Sequence, residues 1–208
     1  CLHGISKDLL HTWIAFSRKW ESWNDSSECE RQWGWFNRNN NRSITIASLH
    51  YWAKKDNPDE YEKHKKESLE HMITASIKGD KKTGAHSDVA NVIYHWFKDC
   101  FVCANIKDNI WYYWNEKNGG RWEETEMGHI LRSRLSHEIV ELYQYYQIKW
   151  QKELNQLGED DEWYSILNNR VANCCKVIIQ LKDSGYKDKI MKESKEYFYD
   201  ASFLDKLN

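Results

Sequence analysis

Apolar residues recur at helical spacing along most of the chain. In KDLLHTWIAF, residues 7–16, they fall at Leu9, Leu10, Trp13, Ile14 and Phe16, close to the period of one helix face. Ser27 followed three positions later by Glu30 matches a capping box, in which the hydroxyl caps the helix and the carboxylate reaches back. The helix it opens carries Trp33 and Phe36, and the polar run NRNNNR at 37–42 reads as a loop. Thr45 is placed to cap a helix through Leu49, Tyr51, Trp52 and Ala53. Asn57-Pro58-Asp59-Glu60 is the clearest helix start: Asn caps, Pro takes the first helical position, and acids fill the first turn. That helix is expected to run to about Lys78, with early turns polar all round, as in a segment that projects into solvent or bridges two units.

After the loop GDKKTGA, residues 79–85, a helix from His86 or Ser87 to about Lys98 presents Val89, Val92, Ile93, Trp96 and Phe97 on one face. The period then changes. FVCAN (101–105) and IWYYWN (110–115) are aromatic and β-branched and flank Ile106-Lys107-Asp108-Asn109, which predicts a β-hairpin. Asn118-Gly119-Gly120 makes a further turn into Arg121-Trp122, the start of a third strand. Helical spacing returns from Glu126 to about Leu157, as one helix or two joined by a kink, and further helices follow near 161–182 and 186–199. The expected fold is mainly α: two helical modules, the second with a small antiparallel hairpin or three-stranded sheet. The expected organisation is a module at 1–56, a helical linker at 57–85, and a domain at 86–208 with the hairpin at 101–115.

Composition supports this picture. A single proline leaves helix interiors unobstructed, and a balance of 40% hydrophobic and 30% charged residues is that of a globular chain. The first residue is Cys1, no charged-then-apolar leader follows it, and the stretch reads as a piece of a longer protein. No apolar run approaches a membrane span, so no membrane partner is expected. Net charge is -2, which gives no global basic footprint for nucleic acid; any such contact has to be local. Six cysteines without a framework spacing point to a reducing compartment.

Most motif-like features have a plain structural reading. Gly79 and Gly84 share the spacing of a phosphate loop, but Ala85-His86 stands where Lys-Ser/Thr is required. Cys100 and Cys103 form a CxxC without a second pair to close a zinc site, and Cys174-Cys175 are adjacent on a helix; buried small hydrophobes fit better. The histidines His64, His71, His129 and His137 make no HExxH arrangement. Glu159-Asp160-Asp161-Glu162 has the chemistry for a divalent ion and also the position of a helix start, where acids suit the dipole. The hairpin is the exception. Alternation sends Trp111 and Tyr113 to one face and Tyr112 and Trp114 to the other, and a two-stranded ribbon cannot bury both. Either helices cover both faces, or an open aromatic face with Lys107, Arg121 and Trp122 nearby forms a platform for single-stranded nucleic acid. Arg132 and Arg134 on the following helix are further candidates for phosphate contact, against a solvated helix face as the plain reading.

The stretches HSDVANVIYHWFKDCFVC (86–103), WYYWNEKNGGRWEE (111–124) and GHILRSRLSHEIVELYQYY (128–146) resemble the helical domain that precedes the helicase in poxvirus-type primase–helicases of large DNA viruses and phages. TWIAFSRKWESW (12–23), ECERQWGWF (28–36) and ITIASLHYWAKKDNP (44–58) resemble the helical module at the C-terminal side of the primase in the same proteins, and the two occur in the family's order. The closing YDASFLDKLN resembles the last helix before the helicase core. The resemblance implies a noncatalytic connector or collar between a primase and a superfamily three helicase. Whole relatives would use ATP and magnesium, form a hexameric ring, and work with DNA and replication proteins in the host cytoplasm or at a viral replication site. It implies no catalytic, cofactor or metal residue within this stretch. A stand-alone module for single-stranded nucleic acid, or a docking domain for a replication partner, is the alternative.

Overall fold

The computed structural model describes residues 2–19, 26–36, 46–79 and 83–207. The fold is mainly helical with one small antiparallel sheet, and the chain divides into two compact units, Cys1–Lys63 and His64–Asn208.

In the first unit, α1 (Leu2–Ile5) and a 3-10 turn (Lys7–Leu9), capped by the Ser6 hydroxyl, lead into α2 (Leu10–Ser17). α3 (Ser26–Phe36) and α4 (Ile46–Asp56) follow. Trp13, Trp33, Phe36 and His3 form an aromatic cluster, with Trp13 edge-on to Phe36 at 5.7 Å and His3 edge-on to Trp33 at 5.0 Å. The helix starts one residue earlier than the Ser27 cap expected for it. α3 already includes Ser26, so Ser27 lies inside the helix, and Glu28 turns along the helix face to pair with Arg31 and Gln32. The loop expected at 37–42 and the Thr45 cap lie outside the described residues. Asn57 does cap α5 (Pro58–Ser68): its side-chain oxygen accepts from the Glu60 amide at 3.2 Å.

The helix expected to run to Lys78 is broken at Leu69. The Leu69 amide bonds the Lys66 carbonyl in a tighter turn, and the Leu69 side chain drops into the core before α6 (Glu70–Ser76) begins. Two compact units thus divide inside the stretch 57–85, and Leu69, Ile73 and Ile77 from its later part are core residues of the second unit.

That core is built by α6, α7 (His86–Phe97), a long run through α8 (His129–Arg134) and α9 (Val140–Leu154), α10 (Glu162–Gln180) and α11 (Ser184–Phe198). α8 and α9 are joined by one π turn, Leu135–Ile139. Of the two expected alternatives, one helix or two joined by a kink, the structure shows a continuous helical run with a widened turn. Its physical use is alignment: Leu131, Leu135 and Ile139 recur every fourth residue, a spacing that drifts round an ideal helix unless the turn takes up extra chain. Three polar groups that reach into this core from different helices are paired. The Tyr143 hydroxyl meets Ser76 Oγ at 2.7 Å, which in turn donates to the Ile73 carbonyl, and Asn173 donates to the Ile77 carbonyl at 3.0 Å. Glu70 accepts from Lys149 Nζ at 2.7 Å and from the Trp150 indole at 3.3 Å. Among the described residues no helix is long and apolar enough to cross a membrane.

Candidate functional site

The three strands β1 (Phe101–Asn105), β2 (Ile110–Asn115) and β3 (Arg121–Thr125) form an antiparallel sheet in sequence order. Cys103 lies opposite Trp111, and Trp114 lies opposite Trp122. Alternation therefore works as expected, but the two faces meet different surroundings.

The inner face belongs to the core. Trp111 is 0% exposed, its indole N–H donates to Asn109 Oδ1 at 3.0 Å, and its ring lies 5.6 Å from Phe198. Phe101 and Cys103 are buried beside it, and burial pushes the Cys103 thiol up. Toward the far end of this face Glu123 accepts four hydrogen bonds: from Asn115 at 2.8 Å, Arg121 Nε at 2.9 Å, Asn118 at 2.5 Å and the Tyr113 hydroxyl at 3.0 Å. The bonds from Asn115, Arg121, Asn118 and Tyr113 hold its carboxyl at about 2, well below the ordinary 4.5. A depressed carboxylate stabilises the fold fully above its unfolded value and loses that contribution as pH falls toward its folded one. Between pH 4.5 and about 2 the β2–β3 end is therefore expected to loosen. A carbon-detected NMR titration should place the Glu123 midpoint far below the ordinary 4.5, and Glu123→Gln should remove the loss of protection, relative to intrinsic exchange, that the Asn115 and Arg121 amides show over this pH range. A midpoint in the ordinary glutamate range would refute this.

The outer face carries Tyr112, Trp114 and Trp122. Trp114 and Trp122 meet edge-on at 5.5 Å, and Gly120 supports Trp114: a Cβ there would lie 3.2 Å from the indole. This face is covered from the chain's far end. Phe203, at the start of α12 (Phe203–Leu207), is 5% exposed and sits 5.2 Å from Tyr112 and 5.1 Å from Trp122.

The candidate residues are thus dispersed. Trp111 has no face to offer a base, because the core encloses it; this corrects its inclusion in a stacking platform. Trp114 and Trp122 do share one face, with Phe203 against Trp122. Arg121 pairs with Glu123. Arg132 Nε bonds Asp188 Oδ1 at 2.8 Å and ties α8 to α11. Arg134 pairs with Glu138 at 3.4 Å and lies over the Phe97 and Phe101 rings. Lys107 is exposed in the hairpin turn. Around the sheet, Lys107, Lys117 and Arg121 are outnumbered by Asp108, Glu116, Glu123, Glu124 and Glu126, which is unfavourable for a phosphate backbone. Phe203, Glu123 and Gly128 are the residues that sequence reasoning missed. Only Gly128, just after an aromatic strand, carries a local signal.

The other motifs resolve structurally. Asp161 caps α10, its carboxylate accepting from the Trp163 amide at 2.8 Å. Cys174 is buried and its thiol is pushed up to about 12 by desolvation. Among the described residues no three His, Cys, Asp or Glu side chains gather as a metal site.

Comparison with known proteins places these units. Residues 1–53 match the family model Primase C terminal 2 (PriCT-2). Over its whole length the chain is 34% identical to a protein of Acanthamoeba polyphaga mimivirus named "Putative helicase", of which it covers 20%. The chain thus joins a primase C-terminal match to similarity with viral proteins named as helicases. It is also 25% identical, over 96% of its length, to a protein of Frog virus 3 (isolate Goorha) that bears the same name, covering 22% of it. The chain spans about a fifth of the length of these curated relatives. The primase-type match falls within the first unit, and the similarity to helicase-named relatives continues across the second.

Proposed function

We propose that this chain is the connector region of a viral DNA-replication primase–helicase, a noncatalytic segment that couples primer synthesis to ATP-driven unwinding. The observation that carries the reading is the meeting of two signals in one chain: a primase C-terminal match over 1–53, and similarity along all 208 residues to helicase-named viral proteins. In this reading ATP and magnesium are bound elsewhere in the longer polypeptide, which assembles as a ring on DNA. The same reading places it in the reducing host cytoplasm, at viral replication sites. A compact helical second unit suits the role, because a connector has to transmit position between its ends, and a packed core does so where a flexible linker does not.

The test uses the longer polypeptide that carries this chain. A flexible Gly/Ser insertion of about 12 residues after Asp56, between α4 and the Asn57 cap of α5, is expected to leave primer synthesis and strand unwinding, each assayed alone, near their original rates. Primer synthesis dependent on concurrent unwinding should fall severalfold. Unchanged coupled synthesis would overturn the connector reading, as would ATP hydrolysis by these 208 residues alone.

A further inference from the structure

Asn118-Gly119 is the only Asn-Gly step among the 208 residues. It lies in the turn between β2 and β3, where residues 116–119 are exposed. Asn118 ends the 3-10 turn Glu116–Asn118, and Gly119 follows it at a φ of 77°. Beyond its chain neighbours, nothing lies within 4 Å of where a Cβ on Gly119 would stand. The Asn118 side chain is also part of the Glu123 group. Its Nδ2 donates to Glu123 Oε1 at 2.5 Å, beside the bond from Arg121 Nε to the same oxygen at 2.9 Å. Asn115 ties the near end of the turn: its Oδ1 accepts from the Lys117 amide and its carbonyl from the Gly120 amide, each at 3.1 Å. Asn115 and Arg121 are the last pair of the β2–β3 ladder.

We propose that Asn118 is a self-modification site, at which loss of the side-chain amide loosens the β2–β3 end of the sheet. The reaction consumes water and needs no other reagent. The Gly119 amide gives up its proton, and its nitrogen attacks Asn118 Cγ. The N–Cγ bond forms, the Cγ–Nδ2 bond breaks, and Nδ2 leaves as ammonia with that proton. Water then opens the cyclic imide at one of its two carbonyls, giving aspartate or isoaspartate. Ring closure inside one dipeptide is intramolecular, so its rate depends on how readily the two atoms meet. Glycine lacks the Cβ that would stand against the approach and keeps the backbone freedom that the ring requires. The exposed turn, with open space at Gly119, leaves that freedom in the folded protein. The consequence follows from what Asn118 holds. The product puts a carboxylate where Nδ2 now donates, so Glu123 loses one of its four donors and gains a like charge beside it. Isoaspartate also lengthens the main chain by one atom, within the turn that sets the Asn115–Arg121 pair. This inference does not rest on the connector role.

Incubation of the full chain in mildly alkaline buffer, followed by proteolysis and mass spectrometry, tests it. The peptide with Asn118 should gain the mass of amide-to-acid conversion and separate into two isomers. It should do so at least about tenfold faster than the peptide with Asn155, an exposed asparagine whose following Gln156 carries a Cβ. Asn118→Asp supplies one product without the chemistry. In that variant the Glu123 midpoint should rise by at least about one pH unit from about 2, and the Asn115 and Arg121 amides should exchange at least about threefold faster, with Leu142 and Tyr143 unchanged. Conversion at Asn118 no faster than at Asn155 would overturn the proposal. So would an unmoved Glu123 midpoint in Asn118→Asp, or a loosening of the core amides together with the turn.

Discussion

Trp111→Ala is expected to lower the unfolding free energy of the second unit by about 3–5 kcal/mol, the range for deleting a large aromatic from a packed core. Trp111 is among the largest fully buried side chains of the chain and touches elements far apart in sequence: Phe198 at the end of α11, Gly128 before α8, and Asn109 in the hairpin turn. Alanine removes the ring and leaves a cavity that these elements cannot all move to fill. It also removes the donor to Asn109, a residue held at a φ of 58° in the turn. Urea unfolding followed through amides of α8 and α9, which share this core, measures the loss. Trp114→Ala, on the outer face, should cost clearly less, about 1–2 kcal/mol, because that ring is only half-buried. Equal costs at the two positions would mean that the sheet does not face the core as described.

Gly128→Ala comes next, with an expected cost of roughly 2–3 kcal/mol from a left-handed backbone and a crowded Cβ. Gly128 has a φ of 70°, and a Cβ there would lie 3.0 Å from Met191 Cε and 3.2 Å from two atoms of the Trp111 indole. Met191 is flexible at its end and can yield; Trp111 is locked by its neighbours. Gly119 separates the two contributions. Its φ is 77° but nothing lies within 4 Å of its Cβ position, so Gly119→Ala should show the conformational part alone, about 1 kcal/mol. Because Gly128 and Trp111 touch, the double variant Gly128→Ala/Trp111→Ala should cost less than the sum of the two. Full additivity in that cycle would rule out the proposed clash.

The strands at 101–105 and 110–115, the α7 face, and the helices after residue 160 were legible because each is a local pattern: a two-residue alternation, a helical period, or a helix-start signal such as the acids at 159–162. The break at Leu69 was not legible, because it depends on a distant core that takes in Leu69 and Ile73. The π turn was similarly hidden, since the apolar spacing it serves is compatible with an ordinary helix until the partners of Leu131, Leu135 and Ile139 are known. The candidate site was legible in part. Alternation correctly separated Trp111 from Trp114, but which side faced the core was open, and the cover over the other side comes from Phe203, about 80 residues beyond Trp122 in the chain.

What the sequence by itself determined is the helical class and the hairpin with its third strand, because period and turn residues are properties of neighbouring positions; its residue order also carries the resemblance to viral primase–helicases. What only the tertiary structure decided is which aromatic residues are enclosed and where the cations go: Trp111 into the core, Tyr112 and Trp122 against Phe203, Arg132 onto Asp188, and Arg134 onto Phe97 and Phe101. The physical reason is that burial and ion pairing are fixed by groups brought together from remote parts of the chain, and no local pattern encodes which remote group arrives.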